Sequence, residues 1–537
     1  MLKNLVKTIL KGDIPSPSIP QWIAGFTVIV IIRAFFEMNA NPRNAAIVIE
    51  NSSRVHYFIF FALIAFLFVL TVSYFTKERG NKIINLALYG LPVIFIAPIA
   101  DIIISGGKGA HMSFIFDTGV NLLNDYLHFG GRGNGASIGM QLEVIVILSA
   151  VGWYVWSKTK KFTRLIGAVV TSYTLLFIVA ALPSVLYTLS LLGQSGPIAR
   201  YSYDFIEKSV IASNIPTNIL NEPLVYESPA RLITLGTTAL FSQVLFILLV
   251  AVGLMWFHYA HPKTFRVILG NIRMTRIFFG LGLLSLGAFI AHSAFSVIFT
   301  WVDWVSLSVL GLSWLSACMY AIHVNDVADI DIDRVSSPER PLPNGDISER
   351  EMRDIGLVWL LLSLVGAYLV GYHAFFMVTI FTSAYYLYSA EPLRLKRIPV
   401  LSSFLISIAV LVTFLAGYFF ASPDKTIYQF PILYSLGIII VFTLGVNIRD
   451  IKDVEGDRRA GIQTLPVIFG KYGKHIVGVL LALSFLLAPF FLSGLTTYVA
   501  AVPAAILGYW FCVREPYKEH YIFLLFFVFC ITSILLK

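Results

Sequence analysis

Apolar runs of about the length a helix needs to cross hydrocarbon, roughly 17–25 residues, recur about fifteen times along this chain, and nothing else constrains its fold as tightly. They lie near 19–38, 55–75, 83–104, 138–156, 164–189 and 231–257, and then near 277–299, 304–324, 354–372, 374–389, 399–420, 430–448, 475–493, 496–513 and 520–536. A backbone in lipid has to satisfy its own N–H and C=O groups, so a spanning segment is either a helix or part of a closed barrel. Barrel strands read as short alternating segments, and this chain does not show them. With 57% hydrophobic and only 13% charged residues, against about 25% charged in a soluble globule, the expected fold class is an all-α integral membrane protein.

Loop charge tests the count of spans. Starting from an N-terminus that carries Lys3, Lys7 and Lys11, alternate loops collect Lys77, Arg79 and Lys82, then Lys158 to Arg164, Lys263 to Arg276, Arg394 to Arg397, and Arg514 with Lys518. Most of the 39 lysines and arginines fall on that one side, as the positive-inside rule expects of a cytoplasmic face. The expectation is a multi-pass protein of the plasma membrane with its N-terminus cytoplasmic. The net charge of +9 then needs no nucleic acid, because the basic residues are spread over short loops rather than gathered on one module. Pro15, Pro17, Pro20 and Arg33 make the N-terminus a poor cleavable signal, so the first helix is expected to be retained. Cys318, Cys512 and Cys530 sit inside apolar runs and read as small hydrophobes.

Three segments follow from this pattern: a six-span domain over 1–257 with no assigned role, a basic cytoplasmic linker over 258–276, and a nine-span domain over 277–537. In the first, Arg33 and Glu37 stand one helical turn apart, where they can pair. With Asp101, His111, His128, Arg132 and Glu143 they form a candidate polar site for a lipid head group or sugar phosphate. The alternative is that they are interfacial residues solvated by water and lipid heads.

Two acidic stretches carry the chemistry. Asn325, Asp326, Asp329 and Asp333 follow the span that ends near Val324, and Asp450, Asp453, Glu455 and Asp457 follow another about 120 residues on. If the first span continues helically for two more turns, spacings of three and four put Asp326, Asp329 and Asp333 on one face, with Asp331 off it. Asp450, Asp453 and Asp457 repeat those spacings. Carboxylates so arranged repel one another unless a cation intervenes, and Mg²⁺ is usually held by a few carboxylates together with substrate phosphate oxygens. Two such faces at one membrane surface suit two Mg²⁺ ions around one diphosphate, whose departing oxygens the metal neutralises.

The first stretch fits the N-D-x-x-D-x-x-x-D signature of the UbiA superfamily of intramembrane prenyltransferases and continues as Arg340-Pro341-Leu342-Pro343-Asn344-Gly345-Asp346-Ile347-Ser348, similar to that family's R-P-x-P-x-G-x-I-S. The segment from Tyr388 to Arg397 resembles its Y-S-x-x-P-x-R-x-K-R loop. Arg449 to Asp457, followed by Thr464-Leu465-Pro466, resembles its second aspartate motif and T-L-P tail. The likeness covers about 270–537, and the N-terminal half resembles no recognised family.

The resemblance implies a nine-helix UbiA-type bundle, preceded here by six further spans. It implies transfer of a polyprenyl group from a polyprenyl diphosphate donor to an aromatic or lipid acceptor, by ionisation of the allylic diphosphate among membrane lipids. Carried over, the metal ligands are Asp326, Asp329, Asp333, Asp450, Asp453 and Asp457, and the catalytic set is Asp326, Asp329, Asp453, Asp457 and Tyr388. Asn325, Arg340, Arg394 and Lys396 bind substrate, with Arg the better fork for phosphate oxygens. Tyr388 offers an aromatic face to a carbocation, as do its neighbours Tyr385 and Tyr386. His323, one turn before Asp326, either orients a ligand or packs as a helix-end histidine. Two alternatives stand beside this reading: phosphoribosyl transfer to a polyprenyl phosphate on the same fold, and a lipid carrier that binds a prenyl phosphate without chemistry.

Overall fold

A computed structural model describes residues 16–40, 51–107, 120–130, 136–190, 202–213, 229–423, 430–492 and 495–535. Every regular element among them is helical, with no strand. Each apolar run forms a helix, twelve of them meeting the length and hydropathy of a membrane span. Two runs are interrupted where proline removes a backbone donor: a 3₁₀ turn at Leu91–Phe95 contains Pro92, and the fifth run breaks ahead of Pro183. The described residues fall into two compact units, one running to Phe265 and taking Phe299–Ser306, the other made of Arg266–Ile298 and Leu307–Lys537.

The first unit holds α1 (Ile19–Ala40), α2 (Asn51–Thr76), α3 (Gly80–Ser105), α4 (Ile138–Thr159), α5 (Phe162–Ala180) and α6 (Pro229–Ala260). Its polar residues face inward. Arg33 and Glu37 form a buried ion pair. The Tyr57 hydroxyl donates to Glu37 Oε1 at 3.1 Å, and the Arg33 guanidinium lies 4.7 Å from the Phe61 ring centroid. Asp101 is buried too, where it accepts from Ser137 Oγ at 2.5 Å and from Gly139 N at 2.9 Å. A carboxylate on α3 thus satisfies one free N–H group at the start of α4, where the helix dipole favours a negative charge. Glu143 accepts from Ala97 N at 3.0 Å. These residues join helices within the unit, while His128 bonds locally to Asn124. His111 and Arg132 lie outside the described residues.

The second unit holds α7 (Met274–Phe295), α8 (Trp301–Ala328, from Leu307 onward), α9 (Glu349–Val370), α10 (Tyr372–Ser389), α11 (Leu401–Ala421), α12 (Ile432–Gly445), α13 (Gly473–Leu492), α14 (Tyr498–Val513) and α15 (Glu519–Leu535). The bundle is arranged around α11, whose apolar window is 83% buried. Small residues allow that. Gly287 on α7 and Gly417 on α11 lie against each other's helix backbone, and a Cβ on either would run into Phe414 O or Leu284 O. Without a hydrophobic drive between helices in lipid, such close approach is what holds them together. A capping box in which Ser348 and Glu351 satisfy each other's backbone N–H opens α9.

Candidate active site

The two acidic stretches fold alike. α8 stops at Ala328, Asp329 takes the half-in position with φ −107° and ψ 13°, and a short helix Ile330–Ser336 follows. After α12 the chain makes a 3₁₀ turn, Val446–Ile451. Asp453 then takes φ −98° and ψ 7°, and a short helix Val454–Arg459 follows. Asp333 N donates to Asp329 O at 2.8 Å, and Asp457 N donates to Asp453 O at the same distance. The unbroken helix expected beyond Val324 is therefore interrupted at Asp329, whose side chain turns toward cations on a neighbouring loop.

The first stretch is balanced by positive charge. Asp329 pairs with the buried Lys396 and with Arg394, whose Nη2 lies 3.0 Å from Asp329 Oδ1 and also donates to Ala328 O at 2.9 Å. Arg394 sits in the left-handed region with φ 38°, a conformation a non-glycine residue keeps only when its surroundings hold it. Asp333 pairs with Arg340 at 2.5 Å. Asp326 is bound by Arg273 and accepts from Asn271 Nδ2 at 2.7 Å. Asp450, Asp453 and Asp457 make no ion pair or side-chain hydrogen bond among the described residues.

Both stretches meet at one polar cavity of about 30 Å³. Asn325, Asp329, Asp333, Asp450, Asp453, Asp457, Arg340, Lys396 and Tyr388 line it, together with Arg273, Arg276, Arg449 and Thr464. Asp326 stands apart from that lining, its carboxylate taken by Arg273 and Asn271. Tyr388 is covered by the Arg449 guanidinium, 5.4 Å from its ring centroid. Tyr386 is half exposed away from the cavity. His323 packs as a helix-end histidine, its Nδ1 2.7 Å from Met319 O.

Burial sets the protonation of the carboxylates outside the spans. It pushes Asp457 up to about 7, with Lys396 countering and Asp450, Asp453 and Asp329 adding repulsion. Burial likewise pushes Asp333 up to about 6, with Arg340 countering. Three cavity-lining groups have a buried polar atom without a partner: the acceptor Asp333 Oδ2, the donor Arg449 Nε and the hydroxyl Thr464 Oγ1. Such atoms are costly unless a ligand meets them. A cavity with both unmet donors and unmet acceptors fits a cation carried on an anion. The all-oxygen acid set suits Mg²⁺. Among the described residues no three carboxylates converge to enclose an ion unaided, which agrees with an ion that completes its shell from phosphate and water.

An apolar cavity of about 140 Å³ adjoins the polar one and shares Arg273, Arg276, Asn325 and Arg449 with it. Its lining follows one face of each helix: Arg276 to Leu283 on α7, Cys318 to Asn325 on α8, Ile406 to Thr413 on α11, Leu481 to Ala488 on α13 and Ile522 to Phe529 on α15. Phe381 and Tyr385 on α10 and Val441, Phe442 and Gly445 on α12 add to the wall.

Sequence reasoning passed over Asn271, Arg273, Arg276, Arg449 and Thr464. Arg273 and Arg276 were counted as loop charge, and only the fold shows that they turn inward. Arg449 and Thr464 stood inside the quoted motifs, so their place beside Asp450 and before Leu465-Pro466 was the available signal.

Comparison with known proteins identifies a family. The profile of the UbiA prenyltransferase family matches residues 284–531. A chlorophyll synthase of Avena sativa is 33% identical over 245 residues, covering 41% of this chain and 62% of that protein. A digeranylgeranylglyceryl phosphate synthase of Sulfolobus acidocaldarius is 30% identical over 207 residues, covering 37% of this chain and 70% of that protein. A solved UbiA homolog from Archaeoglobus fulgidus, bound to GPP and Mg²⁺, is 20% identical, covers 50% of this chain and 96% of its own, and has a TM-score of 0.39. The chain spans about three fifths of the length of several curated relatives that it matches. On the family profile and the four ordered motifs within it, the chain belongs to the UbiA prenyltransferase family.

Proposed function

We propose that the second unit transfers a prenyl group from a prenyl diphosphate to an aromatic or lipid acceptor within the membrane, using Mg²⁺. The observation that carries this reading is the pair of adjoining cavities: a polar one with unmet donors and acceptors, and an apolar one that shares three arginines with it. A diphosphate with an apolar tail matches both ends.

Asn325, Asp329, Asp333, Asp450, Asp453 and Asp457 would hold Mg²⁺, in two sites, one for each acidic stretch. Bound Mg²⁺ supplies charge neutralisation to the departing phosphate oxygens. Arg340, Lys396, Arg273, Arg276 and Arg449 hold the diphosphate, the guanidinium groups as forks. Asp326 fixes the direction of Arg273. Phe381 and Tyr385 keep the allylic carbon dry and face the carbocation left when the C–O bond breaks and its electron pair departs with the diphosphate, each ring contributing about 0.5–2 kcal/mol. An electron pair of the acceptor, a hydroxyl lone pair or a ring π pair, then forms the new bond to that carbon, and the acceptor loses the proton from the atom that was alkylated. Tyr388 supports Arg449 from beneath.

The loop charges support placing both aspartate stretches on the cytoplasmic face of the plasma membrane. The first six spans form a separate accessory domain in this proposal, joined through the basic segment 258–276. Ribose rather than isoprenoid in the product would select the phosphoribosyl alternative, whose polyprenyl phosphate acceptor also carries an apolar tail. A carrier of prenyl phosphate has no use for three carboxylates that make no ion pair among the described residues. The test is product analysis by mass spectrometry with geranylgeranyl diphosphate, Mg²⁺ and an extracted lipid mixture. Prenylated product that disappears with EDTA supports the reading, and intact diphosphate with every acceptor fraction contradicts it.

A further inference from the structure

The apolar cavity takes about two turns from each of five lining helices. The lining sets on α7, α8, α11, α13 and α15 each run through eight positions, from Arg276 to Leu283 for example. Two helical turns span about 11 Å, the extended length of roughly two isoprene units. One turn past Leu283 and Thr413, Gly287 and Gly417 bring α7 and α11 into backbone contact. Helices at that separation leave no space for a chain between them. Ala488 and Phe529 close the other side, with the Phe529 and Phe485 ring centroids 5.3 Å apart.

We propose that this pocket encloses the first two isoprene units of the prenyl donor and no more, with Ala488 and Phe529 as its specificity-determining floor. The inference rests on the proposed function. A third and fourth unit have no enclosed space ahead of them and run out between helices into lipid. Lipid tails are as apolar as the pocket wall, so only packing distinguishes the two environments. Units beyond the second therefore add little to affinity.

The experiment titrates the full chain in detergent, with Mg²⁺, against the non-ionising thiolodiphosphates of dimethylallyl, geranyl, farnesyl and geranylgeranyl alcohols. Wild-type protein is expected to bind the geranyl compound at least threefold more tightly than the dimethylallyl one, and to bind the two longer compounds within about threefold of the geranyl one. Ala488→Leu, which raises the floor, is expected to weaken the three longer compounds at least fivefold and to leave the dimethylallyl one within about twofold. Phe529→Ala, which lowers it, is expected to favour farnesyl over geranyl. Affinity that keeps climbing threefold or more per unit to geranylgeranyl overturns the proposal. So does Ala488→Leu weakening the dimethylallyl compound as much as the geranyl one. If no thiolodiphosphate binds in the presence of Mg²⁺, the proposed function itself fails, a result distinct from the other two.

Discussion

A Cβ placed on Gly456 would stand 2.7 Å from Ile332 Cγ2 and 3.3 Å from Ser336 Cβ. The short helices Ile330–Ser336 and Val454–Arg459, which carry the second half of each acidic stretch, therefore touch through a position with no room for a side chain. Two effects oppose each other in Gly456→Ala. Alanine improves helix propensity by about 1 kcal/mol, whereas an extra methyl in a packed contact costs about 1–3 kcal/mol. If the contact sets the spacing of the two stretches, the variant is less stable and its Mg²⁺-dependent diphosphate release falls about tenfold or more. A rise in thermal midpoint with full activity would show that the contact does not matter.

Lys396 and Arg394 both hold Asp329, but Lys396 is the more buried partner. Lys396→Met is expected to cost about 3 kcal/mol, the lower end for a broken buried pair because Arg394 remains. In a cycle with Asp329→Asn, the double variant should recover part of that loss in denaturation midpoint. Strict additivity would mean that the pair is not coupled.

The raised position of Asp457, about 7 against an ordinary value of 3.8, gives a pH dependence of definite sign. The folded state holds this proton more tightly than the unfolded state, so without metal its contribution to stability is fully present below about pH 4 and is lost as pH rises through 7. Mg²⁺ needs the ionised carboxylate, so its affinity should fall about tenfold per pH unit below 7 and level off above it. Calorimetric Mg²⁺ titration across pH 5.5–8.5, roughly the range that brackets this group, checks both limbs. Asp457→Asn should flatten the profile.

In the first unit the buried pair Arg33–Glu37 behaves as one element. Glu37→Ala leaves an uncompensated guanidinium among apolar helices and should cost about 3–5 kcal/mol. Arg33→Met combined with Glu37→Leu should restore most of it. Thermal denaturation of the full chain distinguishes a coupled pair from two independent losses.

Much of this architecture was legible in the sequence, because hydrocarbon thickness imposes run length. Asp450, Asp453 and Asp457, singled out by their spacing, line the polar cavity. Asp326 was the exception: spacing alone placed it with Asp329 and Asp333, but its fate depends on Asn271 and Arg273, more than fifty residues earlier, and only tertiary structure brings those close. Arg276 shows the same limit. A loop arginine obeying the positive-inside rule looks identical in sequence whether it meets water or turns toward a substrate. Arg33 and Asp101 were read as part of a polar head-group site or as solvated interfacial residues, yet both are buried among helices, which periodicity cannot show when a helix is apolar all round.

The central claim is that the two acidic stretches act as one site. Its most direct measurement is Mg²⁺-dependent diphosphate release from geranylgeranyl diphosphate by Asp329→Asn, Asp453→Asn and the double variant, each shown to be folded. The account predicts that either substitution alone lowers the rate by about 100-fold or more and that the double variant is little worse than either, since residues acting as a unit are not additive. Near-wild-type release by both single variants would contradict it.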